Sequence, residues 1–266
     1  MLISSIIIQI IYYVGFIVLF GFLIALINKT FYRNLGYSKF VIYSTGLLGT
    51  PIHELSHALM CVLFGHKITE VSLFRISDDG VLGYVNHSYN PKNIYHQIGN
   101  YFIGVAPIIV GSIILYFGTF LLVPTASNSI NSSLVTFVAS QSSGFSFKTL
   151  LDVLTLGKDF IVTIALNATF TWQYILYIVA ALCLSLHMNL SNADIKGALK
   201  GLPLFLILLI IVNLIIYYVP FLGYTGFNNL MVMGGAYLLG TLIISFVFSL
   251  ILLVLSALIK LAFRRR

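Results

Sequence analysis

Residues 40–65 read FVIYSTGLLGTPIHELSHALMCVLFG. The stretch is apolar over a length that reaches across a hydrocarbon layer, which takes about 20 apolar residues. Yet it holds two histidines and a glutamate, His53, Glu54 and His57, close together near its middle. Five further charge-poor stretches, 3–28, 98–124, 160–188, 201–223 and 229–259, match its length. Together they predict an all-α polytopic membrane protein with about six transmembrane helices in a single integral membrane domain, 1–266. Composition agrees. The chain is 59% hydrophobic and 8% charged, with a mean hydropathy of +1.04, whereas soluble domains are about 25% charged.

The first stretch lacks the basic flank of a secretory signal and runs longer than one, so it is expected to stay as a membrane helix. The net charge of +7 sits mostly in short loops and in the tail of Lys260, Arg264, Arg265 and Arg266, where it sets orientation; nucleic acid is not an expected partner. With both termini in the cytoplasm, nine of the 14 basic residues fall inside, as the positive-inside rule favours. An integral protein of a bacterial cytoplasmic membrane is the expected setting. Cys61 and Cys183 lie in apolar stretches without CxxC or Cys/His metal spacing and read as packing residues.

After the second stretch, residues 68–76 and 81–89 are rich in β-branched and aromatic residues and flank Ser77-Asp78-Asp79-Gly80. An Asp-Gly pair between two such runs predicts a small β-hairpin within a cytoplasmic segment, 67–97. Residues 125–146 are Ser- and Asn-rich and read as a loop. Phe147, Leu150, Leu151 and Leu154 follow at helical spacing, so 125–159 is expected to be an external loop with a short interfacial helix over 147–156.

His53-Glu54-Leu55-Ser56-His57 is an H-E-x-x-H motif, expected by chance in this composition roughly once in a thousand shuffles. On a helix, residues four apart share a face, so the two imidazoles can grip one metal ion. Zinc suits two imidazoles and a carboxylate, with a further position for water. Glu54, beside the first ligand, is placed to be the general base that takes the water's proton.

The chain's acidic residues are Glu54, Glu70, Asp78, Asp79, Asp152, Asp159 and Asp194. Glu70 lies on the expected hairpin, Asp78 and Asp79 suit its turn, and Asp152 and Asp159 lie on the opposite side of the membrane. The extended motif ending in a third histidine fails, since Met60 and Leu63 stand where Gly and His are required. Asp194 is left as the expected third ligand, with His187 in reserve. His66, His87 and His96 read as surface residues of the cytoplasmic segment.

The H-E-x-x-H on a membrane helix, the hairpin after it, Ala106-Pro107 in the third stretch and Asp194 after a later one resemble the site-2 protease family of intramembrane zinc metallopeptidases. The resemblance covers residues 40–197, the expected catalytic core. It implies His53, His57 and Asp194 as zinc ligands, Glu54 as catalytic base, and a membrane-spanning protein or peptide within the lipid bilayer as substrate. It also implies cleavage near the cytoplasmic side. In that family the aspartate is followed directly by glycine, whereas Ile195 and Lys196 here precede Gly197. Rival readings are a metal transporter and a relative that holds membrane substrates without cutting them.

Overall fold

A computed structural model describes residues 2–77, 80–140, 147–169 and 171–264. Asp78 and Asp79 of the expected turn, the end of the expected loop at 141–146, and Arg265 and Arg266 lie outside these. Among the described residues the chain forms eight long helices and one two-stranded sheet. In order these are α1 (Leu2–Asn34), α2 (Lys39–Leu63), β1 (Lys67–Ser72), β2 (Tyr84–Ser88), α3 (Ile94–Leu122), α4 (Pro124–Ser140), α5 (Phe147–Leu166), α6 (Trp172–His187), α7 (Asn192–Tyr218) and α8 (Tyr224–Arg264). A π-helical turn, Ile11–Gly15, lies inside α1.

The fold is an all-α membrane fold with a small antiparallel hairpin. Four helices, α1, α3, α7 and α8, are long and apolar enough to cross a membrane. Their bare faces match that solvent: Ile207, Ile211 and Ile215 stand exposed along α7, as do Val18, Phe22 and Leu26 along α1. A lipid hydrocarbon accepts such stripes that water would not.

The stretch 160–188, expected to cross as one helix, is broken. α5 runs on to Leu166, and the Asn167 side chain then donates to the Thr163 carbonyl and closes the helix end. A new helix starts at Trp172, with Thr171 bonding the Tyr174 N–H through its hydroxyl. The expected loop at 125–146 is also corrected, since residues 124–140 are the helix α4. Its apolar residues Ala126, Ile130, Leu134 and Phe137 recur at helical spacing and are all buried. Some of its hydroxyls bond back to carbonyls of the same helix, Ser127 to that of Pro124 and Thr136 to that of Ser132.

The chain divides into two compact units, one of residues 1–19, 112–177 and 205–244, the other of residues 20–111, 178–204 and 245–266. The first packs Tyr12 edge-on to Phe137 at 6.4 Å between centroids. It also buries a polar knot in which Gln9 and Asn213 exchange amide hydrogen bonds at 2.8 and 3.2 Å. The second unit carries the H-E-x-x-H helix and the hairpin. Its sheet pairs Lys67 with Ser88, Ile68 with His87 and Val71 with Val85, with a bulge between Ile68 and Glu70. Glu70 belongs to the sheet surface, where its carboxylate accepts from the Tyr84 hydroxyl and the Asn86 amide. That carboxylate raises the pKa of the Tyr84 hydroxyl above its ordinary value.

Candidate metal centre

α2 is a single helix that passes through Pro51. The unbroken helix puts His53 and His57 one turn apart, with ring centroids 4.9 Å apart and Nε2 atoms 3.2 Å apart. Each ring donates its other nitrogen to a backbone carbonyl: His53 Nδ1 to His187 O at 2.7 Å, and His57 Nδ1 to Ile103 O at 2.8 Å. A carbonyl only accepts, so both Nδ1 atoms carry the hydrogen, and in the neutral rings both Nε2 lone pairs are bare. Two lone pairs at that separation repel unless a cation or a shared proton lies between them.

The two carbonyls are free for this duty for local reasons. His187 is the last residue of α6, where helical carbonyls have no partner within the helix. Ile103 lies mid-helix in α3, but the residue four positions on is Pro107, which has no N–H to return. The Ala106-Pro107 pair thus has a physical role, since it releases one carbonyl to orient one imidazole. His187, the reserve candidate, contributes only its carbonyl; its ring Nδ1 sits 3.0 Å from the Cys183 carbonyl of its own helix.

Asp194 arrives from the first turn of α7 rather than from the end of the preceding stretch. Ser191 caps that helix: its hydroxyl accepts from the Asp194 N–H at 3.1 Å, while Asp194 Oδ2 accepts from the Ser191 N–H at 2.7 Å. This reciprocal capping box fixes the carboxylate. Its Oδ1 lies 3.3 Å from His57 Nε2 and its Oδ2 lies 3.7 Å from His53 Nε2. Ligands about 2.0–2.1 Å from a tetrahedral zinc stand about 3.3 Å from one another. The imidazole pair at 3.2 Å matches that spacing, and the carboxylate brings one oxygen near each ring, so the three side chains could hold one ion.

The group opens on a cavity of ≈ 440 Å³ lined by His53, Glu54, His57 and Asp194 together with residues of β2 and α3. Close packing builds it. A Cβ on Gly83 would meet Glu54 Cγ at 2.8 Å, so the approach to β2 rests beside the Glu54 side chain only because residue 83 has none. Gly49 and Gly104 likewise leave no room for a Cβ, Gly49 against the His187 ring and Gly104 against the Asp194 carbonyl. Asn100 also lines the cavity, and its buried amide nitrogen makes no hydrogen bond.

Of the histidines expected at the surface, His87 and His96 are half-buried and His66 is placed inside. His66 is 5% exposed, stacked on Tyr89 at 4.9 Å, and its Nδ1 sits 3.1 Å from that of His87. Burial holds both rings below the ordinary imidazole pKa, and for His87 the neighbouring His66 adds to the effect. Cys61, expected as simple packing, stands beside them with its sulfur within 4.8 Å of a ring nitrogen of each.

Comparison of the chain with protein-family models, curated proteins and solved structures finds no match.

Proposed function

We propose that this chain is an intramembrane zinc metallopeptidase, organised like the site-2 proteases, that hydrolyses peptide bonds of membrane-spanning substrates near the cytoplasmic face. The observation that carries the reading is the pair of bare Nε2 atoms at 3.2 Å with the Asp194 carboxylate beside them. In this reading His53, His57 and Asp194 hold the zinc. The bound ion would acidify a water and polarise the scissile carbonyl. Glu54 takes the proton from the attacking water as oxygen bonds to the carbonyl carbon, then hands it to the amine nitrogen as the C–N bond breaks. The unpartnered Asn100 amide is a donor for a substrate carbonyl.

An ordinary membrane helix shields its peptide bonds, so the substrate must unwind to be cut. β2 lines the cavity, and β1 pairs with one of its edges. An unwound segment would add to the other edge of β2 and gain backbone hydrogen bonds there. The topology that goes with this reading has six crossings, α2 and α6 joining the four apolar helices, with both termini in the cytoplasm of a bacterial cell.

The test is zinc content and cleavage, measured on the same purified preparations. Wild-type protein should hold zinc and cut a membrane-spanning substrate. His53→Ala and His57→Ala should each lose the ion of this site, while Glu54→Gln should keep it and lose roughly 10²- to 10⁴-fold in rate. Full metal in both histidine variants would refute the ligand assignment. Zinc binding without any cleavage by wild type would favour a substrate-holding relative.

A further inference from the structure

Cys61 follows His57 by one helical turn, and His66 follows Cys61 after the helix has ended. The ending brings the two together. The His66 N–H bonds the Cys61 carbonyl at 2.8 Å and the Gly65 N–H bonds that of Val62 at 3.2 Å. With Gly65 at φ +70 this is a Schellman turn, which folds the chain back over its own last turn. His87 comes from β2, held opposite Ile68 by the sheet register. Cys61 Sγ and one ring nitrogen from each histidine lie within 4.8 Å of one another.

The protonation of His66 is set by its surroundings. Its Nε2 donates to the His96 carbonyl at 2.8 Å, so its Nδ1 is bare and faces His87 Nδ1 at 3.1 Å. A backbone carbonyl orienting a histidine from behind is the usual outer partner of a metal-bound imidazole. The thiol and two imidazoles form a donor set for zinc or another thiophilic ion. None of the three belongs to the group of His53, His57 and Asp194.

We infer that Cys61, His66 and His87 form a second metal site, which takes zinc through one thiolate and two imidazoles. Binding releases the Cys61 thiol proton to solvent as the sulfur–metal bond forms. The ion ties β2 to the end of α2, and β2 is the strand that lines the cavity beside Glu54. It therefore acts as a structural clamp that sets where the hairpin stands over the first site.

Cobalt(II) substitution reads the two sites separately, because only the second offers sulfur. Cobalt-loaded wild-type protein should show near-ultraviolet thiolate-to-cobalt charge transfer and hold about two ions per chain, each bound by deprotonated ligands. Cys61→Ser should lose that band and one ion, and His87→Ala, on the hairpin strand, should lose the ion as well. His53→Ala/His57→Ala should lose one ion yet keep the band, which separates failure of this site from failure of the first. In the clamped protein, protease should nick the loop between β1 and β2 at least tenfold more slowly than in Cys61→Ser. A wild-type cobalt spectrum without thiolate charge transfer, or metal content unchanged in both Cys61→Ser and His87→Ala, would overturn the assignment.

Discussion

In α3 the carbonyl of Ile103 looks towards residue 107, where proline has no N–H to offer, and the His57 ring takes the unused acceptor. Pro107→Ala restores a competing N–H. Zinc should then bind roughly 10- to 100-fold more weakly, as when an outer partner of a ligand is lost, in a chelator competition on protein of unchanged helix content. Asp194 serves both the helix cap and the metal group. Asp194→Asn keeps an acceptor for the Ser191 N–H, so zinc should be lost while the unfolding temperature of the metal-free protein changes little; Asp194→Ala should lose zinc and about 1 kcal/mol of helix capping as well. Equal stability of the two variants would mean that the cap contributes nothing. That His53, His57 and Asp194 come together is legible in the sequence, because the two histidines are local and acids are so scarce that elimination reaches Asp194. The carbonyls that orient the rings are not, since backbone groups look alike in any sequence; Pro107 was the one signal available. Cys61 and His66 stayed hidden because their proximity comes from a helix-ending turn, and Gly65 was its only mark.

At the level of elements, α4 shows how composition misleads. Serine and asparagine over residues 125–146 resemble a loop, but Ala126, Ile130, Leu134 and Phe137 keep helical period and bury one face. The hairpin was legible from its β-branched runs, though its paired strands are shorter than expected because pairing ends at Ser72 and Tyr84. The stop at residues 167–171 came from Asn167 and Thr171, which read in sequence as polar residues inside an apolar run. Gly49 holds two of the site's elements close. A side chain at Gly49 would strike the His187 ring and the Cys183 carbonyl. Gly49→Val should therefore destabilise the protein by about 1–3 kcal/mol, typical of overpacking, and weaken zinc binding by moving the His187 carbonyl from His53. Thermal unfolding and metal content check both effects, and a neutral result in each would show that α2 and α6 are free to part.

For the whole molecule, the exposed apolar stripes of α1 and α7 require a lipid surround, and the basic residues favour cytoplasmic termini. In the proposed topology the turn between α7 and α8 is outside, and Phe221 in it is 87% exposed. A membrane-impermeant thiol reagent applied to intact cells should label Phe221→Cys and miss Lys92→Cys, above the background of Cys61 and Cys183. The opposite pattern would invert the protein in its membrane. The four apolar helices were legible from hydropathy alone. The site was legible because burying three ionisable groups in an apolar stretch costs several kcal/mol unless they are paired, hydrated or metal-bound. The proposed activity is hydrolysis with Glu54 as base. Its most direct test is cleavage of a membrane-spanning substrate by purified protein in liposomes made up in heavy-oxygen water, followed by mass spectrometry of the fragments. The wild-type protein should place one heavy oxygen in the new carboxylate, and zinc-loaded Glu54→Gln should give at least a hundredfold less product. Equal product from both proteins, or none from the zinc-loaded wild type, would contradict it.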